Sequence, residues 1–391
     1  MLCPRISFAV FLAFVSGFSV TGLAHEGHEH EGHDHDSSTA HAAPDSTNTF
    51  QANGKTFRWE HRPELGQQSD KMVAAAKGGL HNNADQDPIT QEIVTVVANH
   101  GLVTLGPDLK EWTLVEDQDP IFSKRVNAHG TDCFEIDGQS YWAFASTNTQ
   151  EVIVSKRGKV VGKLTQPKGD EFDNPTVNAY FAAKGKFTPC DVVYLPQGKR
   201  LVVVIGYAPG DFALTAELQD GQWVWGPTAW GGKEGKGGLF STAHGVQVGS
   251  DNGQEIVEVA SRAHGRIFAF TAGGAQVRMP GSNAGYYVQL PPGSNPCNIS
   301  HNGQSIFLTL LNPLPKTKTA SVMVVEDGKP AGFLTPGSYE SLSYMRHMHG
   351  FCPVEKDGKL FGIVLSWPNG GENKKGLRND GQIAIFEAVE Q

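Results

Sequence analysis

The sequence predicts an all-β fold, a six-bladed β-propeller, and three observations carry that expectation. First, five marker pairs recur roughly every 52 to 60 residues: His129-Gly130, Pro189-Cys190, His244-Gly245, Pro296-Cys297 and His349-Gly350. Second, a glycine stands nine residues after His129, Pro189, His244 and His349 (Gly138, Gly198, Gly253, Gly358), with a shorter spacing to Gly303 after Pro296, and each glycine opens an apolar, β-branched or aromatic run. Examples are Tyr-Trp-Ala-Phe-Ala at 141–145, Leu-Val-Val-Val-Ile at 201–205 and Leu-Phe-Gly-Ile-Val at 360–364. Third, glycine supplies 46 of 391 residues while helix-period stretches are nearly absent, which favours repeated antiparallel sheets over an α/β fold.

Taken in order, the chain opens with Arg5, an apolar stretch from Ile6 to Val20 and small residues before Ala24. Residues 1–24 therefore read as a signal peptide, too short and too rich in Gly and Ser for a retained span. The mature protein is expected to be secreted or periplasmic, with no membrane segment after cleavage. Residues 25–48 begin with His25, His28, His30, His33 and His35 alternating with carboxylates, then turn rich in Ser, Thr, Ala and Pro. Such a segment has too little apolar surface to pack a core and is expected to be a disordered, metal-capturing tail for Zn²⁺, Cu²⁺ or Ni²⁺. The propeller domain is expected over 49–391.

Within that domain, residues 88–125 hold the strand-like runs Glu92–Val97 and Glu111–Val115, which supply a sixth unit beside the five marked ones. Seven blades stay open if residues 49–87 contain strands as well. A strand follows the apolar run in most units, as in Arg266–Phe270 and Gln382–Phe386. An early strand is expected to complete the last sheet, as closed rings require.

Charge excludes one partner class. The formal net charge is -9 with the acids dispersed and no basic stripe, so nucleic acid is not an expected partner. Outside the signal segment four cysteines remain, Cys133, Cys190, Cys297 and Cys352. Export permits two disulfides by default, yet Cys190 and Cys297 hold equivalent places in different units, so bridging and buried thiols both stay open.

The marker histidines carry the chemistry. Equivalent residues of successive blades ring the central axis, and His129, His244 and His349 fall on alternate units, about 120° apart if there are six. Three imidazoles at one height form the nitrogen set of a zinc site with an open position, and the glycine after each lets backbones approach there. His347, two residues before His349, is a candidate fourth ligand by strand alternation. His264 and His301 read as turn residues. Tyr207 and Arg262 end comparable apolar runs and are expected on loops at one rim, as a general base and a carboxylate or oxyanion partner. Tyr180, Tyr286, Tyr287 and Tyr344 compete with Tyr207 for that role.

The stretch from Trp225 to Val246, followed by Arg262-Ala-His-Gly-Arg-Ile-Phe268, resembles the inter-blade segment of NHL-repeat propellers, and most closely the peptidyl-α-hydroxyglycine α-amidating lyase branch. Pro189-Cys-Asp-Val-Val193 is similar to the segment that opens a blade there. The resemblance covers about 126–391. It implies zinc bound by His129, His244 and His349, a catalytic role for Tyr207 and Arg262, and a peptide C-terminus or small molecule at the channel mouth split into an amide and glyoxylate. The family's calcium-binding aspartate is replaced by Gly350, so that site does not carry over. Two other classes compete: a periplasmic zinc or copper metallochaperone serving a metal-transport partner protein, similar in its His-rich tail, and a propeller that only binds protein on its rim.

Overall fold

The computed structural model describes residues 48–280, 285–314, 319–367 and 381–391. The expected signal peptide and the tail histidines His25, His28, His30, His33 and His35 lie outside the described residues. No helix among the described residues is long and apolar enough to cross a membrane.

The strands form successive antiparallel four-stranded units. The first comprises Asp85–Gln86, Ile93–Val97, Gly101–Leu105 and Trp112–Leu114, and the second Gly130–Ile136, Gln139–Ser146, Glu151–Lys156 and Lys159–Leu164. The third runs Asp191–Leu195, Arg200–Val204, Phe212–Gln219 and Gln222–Gly231. The fourth is Ala243–Asp251, Gln254–Ser261, Arg266–Thr271 and Gln276–Val277, with Tyr287–Gln289 added on its third strand. Units five (Pro296–Asn302, Ser305–Leu310, Val322–Glu326, Lys329–Leu334) and six (Met348–Lys356, Lys359–Ser366, Gln382–Glu390) follow. The apolar runs of the sequence are thus second strands. The first strand of a unit lies between its marker and the hairpin glycine.

Hairpin chemistry explains that register. Asp137-Gly138, Asn252-Gly253 and Asp357-Gly358 all have positive φ at both residues, the type I′ geometry that matches strand twist. Each lies between the first and second strand of its unit.

The residues at 49–61 do not make a seventh sheet. Lys55–His61 pairs with the C-terminal strand Gln382–Glu390 and completes unit six, while Thr49–Ala52 pairs both with it and with Lys329–Leu334. Units five and six are thereby joined into one nine-stranded sheet, which holds both the first and the last of the described strands. Residues 70–79 form a helix whose N-terminus is capped by Ser69 Oγ.

The ring is closed at the axis. The first strand of each unit packs on that of the next, from unit one through six and back to one. Polar side chains bond these strands together: half-buried Asp85 accepts from the Cys133 amide (2.7 Å), and buried Asp132 from Tyr194 (2.8 Å), Asp191 from Val246 (3.0 Å) and Asn298 from Phe351 (3.2 Å). Between units, apolar faces interlock. Phe134 of unit two, for example, stacks on Tyr194 of unit three with centroids 4.3 Å apart, inside a cluster that includes buried Val154 and Val203. Each such buried side chain contributes roughly 1.5–3 kcal/mol, so the inter-unit seams hold the ring together.

Candidate metal centre

Four imidazoles meet at the axis. Ring centroids of His129 and His349 are 4.5 Å apart, those of His129 and His244 4.7 Å, and those of His244 and His349 5.3 Å. His81 joins them, 4.6 Å from His129 and 4.4 Å from His349. One ring nitrogen from each of His81, His129 and His349 lies within 4.8 Å of the others.

Local backbone irregularity aims these side chains. The pairing of unit four shifts register between Ala243 and Gly245, and that of unit six between Met348 and Gly350, so His244 and His349 are bulge residues. His129 immediately precedes its strand. A bulge turns one side chain out of the alternation, and here it turns it to the axis. The following glycines are required there. A Cβ at Gly130 would overlap Asp191, one at Gly245 would overlap the Cys297 carbonyl, and one at Gly350 would sit 2.8 Å from the Asn82 oxygen.

Each of the three strand histidines spends its Nδ1 on a carbonyl of the next unit: His129 on Cys190 (2.6 Å), His244 on Cys297 (2.8 Å) and His349 on Asn82 (3.2 Å). A carbonyl oxygen only accepts, so Nδ1 must carry the proton and Nε2 is left as a bare lone pair. The Nε2 atoms of His129 and His349 are nonetheless 3.3 Å apart. Two neutral acceptors facing each other in a buried site repel unless a cation lies between them. Nitrogens about 2.0–2.1 Å from a tetrahedral ion are about 3.3–3.4 Å from one another, so the spacing fits such an ion.

The electrostatics agree with neutral ligands. Burial is the largest influence on His129 and pushes it down to about 4, with the Arg262 guanidinium pushing the same way and the Cys190 carbonyl opposing. Burial likewise holds His81, His244 and His349 well below the usual range, assisted by neighbouring imidazoles and, for His81 and His244, by Arg262.

Tyr207 and Arg262 reach the same place. Arg262 Nη1 donates to the Tyr207 hydroxyl (3.0 Å), which lies 3.2 Å from His129 Nε2 and 3.0 Å from His244 Nε2. Tyr207 has one proton to give, so it satisfies only one of those nitrogens. Burial raises its phenol pKa, against the pull of Arg262. Asp211, fully buried, accepts from the Thr242 and Ala243 amides (2.6 and 2.7 Å) and so fixes the backbone just before His244.

Other sequence candidates lie elsewhere. His347 is not in the cluster: its Nδ1 meets the Leu311 carbonyl at 2.6 Å and its ring lies edge-on to Trp367. The bulge at His349 breaks the two-residue alternation that would have put both on one side. Tyr180 donates to the Lys186 carbonyl (2.8 Å), Tyr286 and Tyr344 are exposed, and Tyr287 sits under Arg266. His301 is no turn residue. It lies in strand Pro296–Asn302 and pairs through Nε2 with buried Glu258 at 2.8 Å. His264 does lie in a turn, 262–264, bonded to Glu234. Among the described residues, Cys133, Cys190, Cys297 and Cys352 are free, buried thiols rather than bridges.

His81 was not singled out by the marker pattern. Its signal is nevertheless present, because Asn82 gives His349 the carbonyl that Cys190 and Cys297 give their partners. The pair His81-Asn82 is thus the counterpart, in unit one, of Pro189-Cys190 and Pro296-Cys297.

Fold and site together define a class: an all-β propeller with clustered histidines on its ring axis. No protein-family model matches the chain, and no curated protein matches it. Among solved structures it is similar to a chain of a nidogen/laminin complex (13% identity, covering 78% of this chain and 96% of that one, TM-score 0.46). It is also similar to the major allergen Mala s 1 of Malassezia sympodialis (9%, 81% and 93%, 0.46) and to hydrazine synthase of Kuenenia stuttgartiensis (13%, 68% and 66%, 0.39). The fold assignment itself rests on strand order and ring closure.

Proposed function

We propose that this protein is an exported metal-binding propeller that holds one divalent ion, zinc first among them, at the ring axis and hands it to a partner. The observation that carries the reading is the 3.3 Å approach of His129 and His349 Nε2 when both Nδ1 atoms are committed to carbonyls. His81 adds a third nitrogen within 4.8 Å of these two, and His244, its ring centroid 4.7 Å from that of His129 and its Nε2 bonded to Tyr207 at 3.0 Å, would supply the fourth once Tyr207 yields. A catalytic zinc keeps one position open, whereas four protein ligands close it, and closure suits storage and transfer. The His-rich segment at 25–35 suits capture of the same ion before it reaches the axis. Carbonyl bonds to Nδ1 hold the His129, His244 and His349 rings in the donor tautomer and strengthen their Nε2 atoms as ligands.

A second reading, an NHL-type carbon–nitrogen lyase acting on α-hydroxyglycine-like peptide ends, is favoured by Tyr207 and Arg262. When bound, zinc polarises a substrate oxygen. Arg262 would receive the substrate carboxylate in a bidentate pair, and Tyr207, between two imidazoles and the guanidinium, would take up or release the proton at its hydroxyl.

The test uses the full mature chain with its six tail histidines (His25, His28, His30, His33, His35 and His41) changed to serine. This tail-silent protein is expected to bind one zinc, and the His129→Ala, His244→Ala, His349→Ala triple variant none. Retention of the ion by the triple variant refutes the metal reading. Release of glyoxylate from an α-hydroxyglycine peptide, dependent on Tyr207, would replace transfer by lyase chemistry.

A further inference from the structure

His81 differs from the other three histidines in what holds it. His129, His244 and His349 stand at the first strands of their units, and each is pinned by an Nδ1–carbonyl bond to the next unit. His81 stands on the coil between helix Asp70–Gly79 and the short strand Asp85–Gln86. Its backbone amide donates to Asn82 Oδ1 (2.9 Å), and its ring makes no hydrogen bond among the described residues. The ring is held by surfaces alone. One face stacks on Trp367, centroids 4.8 Å apart and 26° between planes, while its other contacts are edge-on with His129 and His349. Trp367 is itself placed by its amide, which donates to the His347 carbonyl (2.8 Å). His81 is partly exposed, whereas the other three are buried to within 2%.

We infer that His81 is the exchangeable ligand of the axial ion and that Trp367 is the clamp that keeps it in place. Swinging any of the other three rings away would leave a buried N–H donor without its carbonyl, a cost that His81 does not meet. Loss of ring stacking, by contrast, frees His81 toward solvent and opens one coordination position while three anchored imidazoles retain the ion. An incoming ligand then binds where His81 was, whether it is a small anion or a donor side chain of an acceptor protein. The inference rests on the metal reading above and adds the order in which ligands leave.

The experiment uses the tail-silent full chain loaded with Co²⁺, whose visible bands report coordination, and azide as the probe ligand. The parent spectrum is expected to stay unchanged by azide. His81→Ala should bind cobalt with affinity lower by about tenfold or more and should take up azide with a shift of the visible bands. Trp367→Ala should keep one ion per chain, admit azide, and give up zinc to an excess of chromophoric chelator about tenfold faster than the parent. Azide entering the parent as readily as His81→Ala overturns the inference while leaving the metal centre standing. So does equal zinc release from parent and both variants. A parent that takes up no cobalt or zinc overturns the metal reading and the inference with it.

Discussion

Changing Gly130 to alanine tests the axial geometry most directly. The glycine has ordinary backbone angles, so the effect is steric rather than conformational. An added Cβ would lie 2.9 Å from Asp191 Cγ, and closer still to the Asp191 Cα and Oδ1. Carbon atoms pack at about 3.5–4.0 Å, so the nearer Asp191 Cα sets the displacement and units two and three must separate by about 1 Å at the axis. The obstacle is backbone and a fully buried carboxylate that holds the Val246 amide, so relief by a rotamer change is closed. Overpacking of this kind costs about 1–3 kcal/mol, and the upper end applies where backbone must move. For a chain of this size about 3 kcal/mol lowers Tm by about 4 °C. Because His129 precedes Gly130 and bonds Cys190, next to Asp191, the same displacement pulls its Nε2 out of register and should weaken zinc binding by about tenfold or more. Gly78→Ala is the control. It lies in helix Asp70–Gly79 with nothing within 4 Å of the new Cβ, and should gain roughly 0.5–1 kcal/mol. Thermal unfolding by circular dichroism and zinc titration of the tail-silent protein measure both effects. A Gly130→Ala protein that melts with the parent and holds zinc equally refutes the argument that close approach dictates the His-Gly pairs.

Three further outcomes are expected. His301→Gln should cost about 2 kcal/mol in urea unfolding near pH 5.5, with the difference from the parent shrinking at alkaline pH. Burial lowers the His301 pKa but Glu258 outweighs it, so the folded value is raised; the pair stabilises below the unfolded value near 6.5 and is lost as pH rises through the folded one. A pH-independent difference would show that charge on His301 is not involved. Ellman's reagent should find none of Cys133, Cys190, Cys297 and Cys352 in the native protein and all four in guanidinium, since burial pushes Cys297, for one, up to about 11. Asp211→Asn should lower zinc affinity several-fold as well as stability, because one of the two amides before His244 loses its acceptor; a stability loss with unchanged affinity would confine Asp211 to folding.

The parts of this molecule that were legible in the sequence are those where one residue type alone satisfies the backbone. Asp137-Gly138 and Asn252-Gly253 announce hairpins because two successive positive φ angles admit little else. The His-Gly pairs announce the axis because a side chain there would collide with the next unit. What escaped follows a different rule. His81 is followed by Asn82 rather than glycine, and its unit opens with a strand of only two residues, so neither the pair nor the strand marked it. Alternation puts His347 on the side of His349 only along an unbroken strand, and the bulge between Met348 and Gly350 breaks it. Closure by Lys55–His61 was expected in kind, but its residues carry no local sign of a partner more than three hundred positions away.

The alternation of markers has a reason that only the closed ring supplies. Units two, four and six contribute an imidazole, and units three, five and one contribute the carbonyl that orients it, from Cys190, Cys297 and Asn82. Each donor unit therefore requires an acceptor unit as its neighbour in one direction around the ring. An even number of units meets that requirement everywhere, and the contact of unit six with unit one, His349 to Asn82, is the seam where an odd ring would fail. Placing His81 beside Asn82 at that seam puts the one unanchored imidazole next to the longest of the three orienting bonds, 3.2 Å against 2.6 and 2.8 Å. The exchange proposed for His81 and the closure of the ring thus share one junction, so loosening that seam with Gly350→Ala, whose Cβ would lie 2.8 Å from the Asn82 oxygen, should speed zinc release to a chelator before it unfolds the protein.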